Sequence, residues 1–281
     1  MEYVKLSNGV EMPMLGLGVF QIPDHDEAKR VVSDALEVGY RLIDTAQAYM
    51  NERAVGEAVR ESGLSREDVF VTSKVWVQDY TYEKTLAAVD RSLERLGTDH
   101  LDLMLLHQPI GDYLSAWRAL ERAYADGKLR AIGMANCYPH VLADICETVD
   151  IRPMVDQVEM HPFFQQTLNL DTMKEYGVVP EAWAPFNEGK RDFFRDPVLT
   201  AVGEKYGKTA AQVALRWNIQ RGVVVIPKTV HKERMQQNAE VFDFALSDED
   251  MTRIAAMDIG HSEIVDHFDP KWIAFLHTVR C

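Results

Sequence analysis

Cysteine is scarce in this 281-residue chain: Cys137, Cys146 and Cys281 are the only three, and no CxxC pair occurs. An odd count without metal-ligand spacing argues against a disulfide framework and fits reduced thiols of a cytoplasmic protein. The nine histidines form no HxxxH or HExxH pair, so no metal site is expected. Long apolar runs are missing as well. Nothing approaches the ~18 residues of a membrane-spanning helix, and the opening MEYVKLSNGVEMP lacks the basic-then-apolar layout of a signal peptide. Positive charge is in deficit, with 30 Lys and Arg against 44 Asp and Glu and a net charge of −14. That balance argues against nucleic-acid or membrane partners and for a well-solvated acidic surface, expected of a monomer. Also missing are a GxSxG nucleophile motif and a dinucleotide GxGxxG, since GLGVFQ places Gln21 where the third glycine belongs.

What the chain does contain is alternation. After an opening hairpin, VKLSNGVEM, with Asn8-Gly9 expected as a two-residue turn, short apolar runs alternate with amphipathic helical stretches. The runs are LGLG near 15, RLID near 41, VFVTSK from 69, LDLMLLHQP from 101, LRAIGMAN from 129, MVDQVE from 154, GVVPEAWAP from 177 and GVVVIPK from 222. Strands of continuous Val, Ile and Leu are buried on both faces, which means a parallel sheet. About eight strand–helix units predict a (β/α)8 TIM barrel with an N-terminal β-hairpin. Gly39, Gly63 and Gly97 are the expected helix stops. No linker or charge block divides the chain, so residues 1–281 are expected to form a single domain.

Polar residues fall at the ends of these runs: Asp44, Lys74, His107, Asn136 and Gln157. In a parallel barrel those ends converge on one face, where sites are assembled from several strands. Each residue alone has a plainer role: Asp44 as a helix-start carboxylate, Lys74 as a surface lysine, His107 as a core histidine. Together they suggest chemistry. A phenol such as Tyr49 has a pKa of about 10; an adjacent ammonium favours its phenolate, and a carboxylate keeps that ammonium in place. Tyr49, Lys74 and Asp44 thus form a tuned proton donor, with His107 positioning a carbonyl oxygen. No side chain supplies an evident nucleophile, which leaves an external one such as a hydride from a cofactor. Near the far end, VVVIPKTVHKERMQQN concentrates Lys228, His231, Lys232 and Arg234 at a helix start in an otherwise acidic chain. Such a terminus is suited to a phosphate. Trp183 could stack on a flat ring or pack the core.

The pieces GLGVF, LIDTAQAYMNE, VTSKVW, LLHQP, GMANCYP, DQVEMHP, AWAPF and IPKTVHKERMQQN, in this order, resemble the aldo-keto reductases from about residue 4 to residue 260. The likeness is strongest to short bacterial members similar to diketogluconate reductases. It implies NADPH extended across the mouth of the barrel and a catalytic tetrad of Asp44, Tyr49, Lys74 and His107, with the Tyr49 pKa lowered by the Lys74–Asp44 pair. Asn136 and Gln157 would hold the carboxamide, and Trp183 would stack on the nicotinamide. Gly18, Val19, Ala184 and Pro185 would line the cofactor's path. Lys228, Thr229 and Arg234 would grip the 2′-phosphate, with Val230 beside them as a cofactor-binding residue, and Gln237 and Asn238 would meet the adenine. Phe20, Trp76 and Phe186 would wall the substrate pocket.

Ala135 departs from the family's usual serine, at an expected cost of one hydrogen bond to the cofactor, about 0.5–1.5 kcal/mol. Asn187 departs from a common leucine-glycine pair, so the loop there is expected to differ in shape. Thr229 replaces a serine and keeps the hydroxyl. The short QPIGDYLSAW loop after His107 implies an open pocket for small polar carbonyls. The tail HFDPKWIAFLHTVRC either folds over that pocket or packs on the barrel. The expectation is an NADPH-dependent reductase of small aldehydes and ketones, such as methylglyoxal- or diketogluconate-like compounds. The alternatives are a non-catalytic NADPH-binding regulatory module and a barrel aldolase with Lys74 as a Schiff-base lysine.

Overall fold

In the computed structural model, which describes residues 1–281, all eight apolar runs become parallel strands. They are β3 (Leu17–Gly18), β4 (Leu42–Asp44), β5 (Phe70–Val75), β6 (Leu103–Leu106), β7 (Ile132–Ala135), β8 (Val155–Glu159), β9 (Val179–Trp183) and β10 (Val224–Val225). They pair in chain order. A parallel bridge between Leu15 and Val225 brings the last strand back to the first, with Gly16 N–H donating to the Val225 carbonyl at 2.8 Å and Val225 N–H to Met14 at 3.0 Å. All six residues of β5 are buried. Helices cover the strands' outer side and packed side chains fill the lumen, which is why the runs are apolar without alternation.

The helices start and stop on local signals. In α1 (His25–Val38) the Asp24 carboxylate caps Glu27 N–H, and Gly39 closes the helix in the left-handed region at φ 112°. Thr81 and Gly97 do the same for α3 (Tyr82–Leu96). Helix α2 (Glu52–Glu61) differs slightly from expectation: Ser62 caps it, and Gly63, at φ 76°, lies one residue further on. Helices α4 (Tyr113–Ala125), α5 (Pro139–Thr148) and α6 (Thr167–Tyr176) follow the next three strands. Between β9 and β10 there are two helices, α7 (Pro197–Tyr206) and α8 (Ala210–Gln220), and α9 (Lys232–Ala239), α10 (Asp248–Ala255) and α11 (Pro270–Leu276) complete the chain.

The hairpin, β1 (Tyr3–Lys5) and β2 (Glu11–Pro13), is present, but its connection is not the expected two-residue turn. The pairing of Val4 with Met12 continues to a Leu6 N–H bond to the Val10 carbonyl, leaving the three-residue loop 7–9 with Gly9 at φ 91°. Asn8 has turned its amide outward to the Arg130 carbonyl at 2.8 Å, which pins the hairpin to the barrel. A depression of about 730 Å³ beside the hairpin is lined by Arg41, Asp102 and Arg130. Buried Asp102 accepts there from Arg130 at 2.5 Å and from Arg66 at 2.8 Å, and Arg41 donates to the carbonyls of Leu36 and Tyr40. No helix is long and apolar enough to cross a membrane.

Candidate active site

Asp44 is the last residue of β4 and pairs in register with Thr72, so Lys74 lies two residues further along β5. Lys74 has no solvent exposure, and a buried ammonium needs a counter-charge. It donates to Asp44 Oδ1 at 2.6 Å, to the Thr45 carbonyl at 2.9 Å and to the Tyr49 hydroxyl at 3.4 Å. Tyr49 ends a single 3-10 turn, Gln47–Tyr49, closed by Met50 at φ 59°. His107, one residue beyond β6, meets the Tyr49 ring edge-on at 5.6 Å and the Trp76 ring at 4.9 Å. The four residues of the expected tetrad are therefore together at one end of the lumen.

The rest of LIDTAQAYMNE holds this turn. Asn51 donates to the carbonyls of Val19 at 2.9 Å and Ile22 at 3.1 Å and accepts from Thr45 at 2.6 Å, fixing the loop that carries Phe20. Gln47 accepts from Trp76 N–H at 3.3 Å while its amide donates into α3 at Ala88 and Ser92. Glu52, buried, receives Ser73 at 2.6 Å and Arg95 at 3.2 Å. None of these three supporting roles was read from the sequence, although polar residues packed so densely after an apolar strand are the signal for them.

The electrostatics correct one expectation. The Tyr49 phenol is not lowered: burial holds it above its ordinary value, Lys74 pulls it down, and Asp44 and Glu181 push it back up. The ammonium that was to lower it is shared with Asp44, so its pull offsets only part of the cost of burying a phenolate. Burial alone would lower Lys74, but Asp44, Tyr49 and Glu181 outweigh it and keep the ammonium protonated above its usual range. Asp44 is raised by burial and steadied as a carboxylate by Lys74 and Gln157. Burial, then Lys74, pushes His107 well below the usual imidazole range, so the ring is neutral.

Gln157, in β8, reaches across the lumen to β4 and donates to Asp44 Oδ2 at 2.8 Å. The same nitrogen donates to Glu181 Oε2 at 2.8 Å, and Glu181 is the in-register neighbour of Gln157 on β9. Glu181 was overlooked in the sequence. Its signal is a lone carboxylate in the middle of the apolar run GVVPEAWAP. Asn136, at φ 58°, donates to the His107 carbonyl at 3.0 Å and accepts from the Trp183 indole at 2.9 Å, which ties those three together.

The residues expected along a dinucleotide are placed as follows. Gly18 lies where a Cβ would come within 2.9 Å of the Ile226 carbonyl oxygen, so only glycine fits, and buried Val19 donates to the Asp44 carbonyl at 3.1 Å. Ala184 is held at φ 47° beside buried Pro185, a conformation that costs an alanine about 1–2 kcal/mol. The basic segment divides. Lys232 is paired with Asp34 and Glu37, whereas Lys228 and Arg234 are exposed and remain available to an anion at the start of α9. Thr229 caps His231 N–H at 3.2 Å. Val230 is half-buried, Gln237 exposed and Asn238 buried. Ala135 ends β7 fully enclosed.

Phe20 packs on Tyr49 at 4.9 Å and, with Trp76, flanks the phenol and imidazole. Phe186 packs on Phe193 and Phe194, at 5.9 and 5.6 Å. In the loop after it, Asn187, Glu188, Gly189, Arg191 and Asp192 all have positive φ, and Glu263 clasps Asn187 at 3.1 Å and Arg191 at 2.6 Å. The tail reaches the pocket wall, where the Val279 carbonyl accepts from the Trp76 indole at 3.2 Å. It also packs, since Leu276 joins the core.

A phenol, an ammonium held by a carboxylate and a neutral imidazole at one barrel mouth suit a carbonyl whose carbon receives a hydride, so fold and site define a barrel-type carbonyl oxidoreductase. Residues 14–259 match the Aldo/keto reductase family, and the chain belongs to it, an NADP-dependent class. It is 50% identical over 255 residues, 90% of this chain and 92% of the relative, to the glyoxal reductase of Bacillus subtilis. To the morphine 6-dehydrogenase of Pseudomonas putida it is 44% identical over 271 residues, 92% of this chain and 91% of that one. The crystal structure of a Bombyx mori aldo-keto reductase in complex with NADP superposes with a TM-score of 0.91 at 32% identity, covering 96% of each chain.

Proposed function

We propose that this protein reduces small aldehydes and ketones, methylglyoxal- or diketogluconate-like compounds among them, with NADPH as the cofactor and Tyr49 as the general acid. The observation that carries the reading is the Lys74 ammonium, fully buried, 2.6 Å from Asp44 and 3.4 Å from the Tyr49 hydroxyl. Bound NADPH supplies the hydride. The protein's part is proton delivery and charge. Tyr49, protonated well above neutrality, gives its proton to the carbonyl oxygen as that oxygen gains charge, and Lys74 stabilises the phenolate left behind. Asp44 keeps Lys74 charged and aimed, and neutral His107 positions the carbonyl. Lys228 and Arg234 hold the 2′-phosphate, with Thr229 and Val230 beside them and Gln237 and Asn238 at the adenine. Gly18, Val19, Ala184 and Pro185 line the cofactor's path, Asn136 and Gln157 hold the carboxamide, and Trp183 stacks on the nicotinamide.

The glyoxal reductase relative supports a small dicarbonyl substrate, and Phe20 and Trp76 supply aromatic walls without a charge reader. Residues 1–281 work as one barrel. Its acidic surface and free thiols fit a cytoplasmic monomer. The tetrad's assembly disfavours a non-catalytic NADPH-binding module, which needs no buried Lys74–Asp44 pair. The test follows NADPH absorbance at pH 7 with a panel of small carbonyls for wild type and Tyr49→Phe. The rate should fall about 10²- to 10⁴-fold in the variant. Cofactor binding without turnover in wild type would favour the binding module.

A further inference from the structure

The mechanism above leaves one buried acid in the lumen without a role. Glu181 is fully buried at the middle of β9. Its Oε2 accepts from Gln157 Nε2 at 2.8 Å, and its Oε1 has no partner. The second hydrogen of that amide goes to Asp44 Oδ2, also at 2.8 Å. The ionised Asp44 can only accept, so the atom between the two acids is the amide nitrogen, and both of its donors are engaged. Gln157 is thereby fixed with its oxygen free, and Asp44 is left with Oδ1 for Lys74. One ammonium and one amide thus serve two carboxyl groups. A single ammonium balances a single carboxylate, so the cluster is neutral only while the other acid keeps its proton.

We infer that Glu181 is a positioning residue for the reduction: with its proton it locks Gln157 and Asp44 in place, and its ionisation adds a second negative charge that makes Tyr49 hold its proton more tightly. This rests on Tyr49 being the general acid.

The groups facing Glu181 set its charge. From neighbouring β8 comes Gln157, from β10 only Val224 and Val225, and from the far wall Asp44, Lys74 and Tyr49. Burial, and then Asp44, pushes the Glu181 carboxyl up to about 8, with Gln157 and Lys74 opposing. Glu181 in turn raises both Tyr49 and Lys74. Reduction needs the phenol and alcohol oxidation needs the phenolate, so the charge on Glu181 favours reduction at alkaline pH.

The experiment is the pH profile, from 6 to 11, of carbonyl reduction with NADPH and of alcohol oxidation with NADP+. Wild type, Glu181→Gln and Tyr49→Phe are measured side by side. Glutamine keeps an oxygen to accept from Gln157 but cannot ionise. Its alkaline loss of reduction, and its onset of oxidation, should both move to lower pH by about half a unit or more, the size one charge imposes in a poorly solvated site. The wild-type profile should carry a partial step near pH 8 that Glu181→Gln lacks. A merely structural Glu181 would change the height of the profile and leave its shape alone. Superimposable shapes, with Tyr49→Phe inactive, overturn the role of Glu181 and leave Tyr49 as the acid. An active Tyr49→Phe overturns the Tyr49 reading itself. If Glu181→Gln does not fold, the wild-type step decides, and a featureless wild-type profile between pH 7 and 9 overturns the inference.

Discussion

At the scale of single residues, the site is governed by how few charges can be satisfied in a dry lumen. Lys74 is stable there because Asp44 meets it, and Tyr49 keeps its proton because Lys74, shared with Asp44, offsets only part of the cost of a second anion. Glu181 carries a consequence for stability. Its folded pKa, about 8, lies above the 4.5 of an exposed glutamate. The native state therefore holds a proton that the unfolded chain releases. That stabilisation is complete below about pH 4.5 and is lost as pH rises through 8. A tenfold tighter hold on a proton is worth about 1.4 kcal/mol, so urea unfolding should show wild type losing up to a few kcal/mol more than Glu181→Gln between pH 5 and 8. Parallel stability curves would mean that the carboxyl is not buried as described.

At the scale of elements, α9 and the turn before it show how one basic stretch divides its work. Lys232 lies against α1 and pairs with Asp34 and Glu37; Lys228 and Arg234 point to solvent. Lys228→Ala and Arg234→Ala should each raise the KM for NADPH about tenfold, as expected for one charge-assisted contact of about 1.5 kcal/mol, and leave the KM for NADH almost unchanged. Lys232→Ala should leave both alone. Equal loss with the two cofactors would show that these cations do not read the 2′-phosphate. The 187–195 loop has the opposite character. Two of its residues of positive φ, Asn187 and Arg191, are held by Glu263, so its shape depends on a segment far away in sequence.

At the scale of the whole molecule, a barrel closes only if its outer ring of helices packs at the right spacing. Gly56 on α2 marks the tightest contact with α3, where an added Cβ would fall 2.0 Å from the Leu96 carbonyl oxygen. That partner is backbone and cannot rotate away. Gly56→Ala should lower the unfolding free energy by about 1–3 kcal/mol, measured in urea at pH 7. A change below about 0.5 kcal/mol would show that the two helices slide freely.

The eight apolar runs, the hairpin and the tetrad could all be taken from the order of residue types. Strand burial leaves an unbroken apolar trace, and barrel topology sends every strand end to one face. The hairpin's loop length escaped because Asn8 is held by Arg130, 122 positions away. The direction in which the Tyr49 pKa moves and the pairing of Lys232 escaped for the same reason. Each depends on neighbours from other elements, and burial and charge balance are properties of what surrounds a side chain. Glu181 is the clearest case. Its letter sits in plain view in GVVPEAWAP, but only closure of the barrel sets Gln157 between it and Asp44, where one amide must serve two acids.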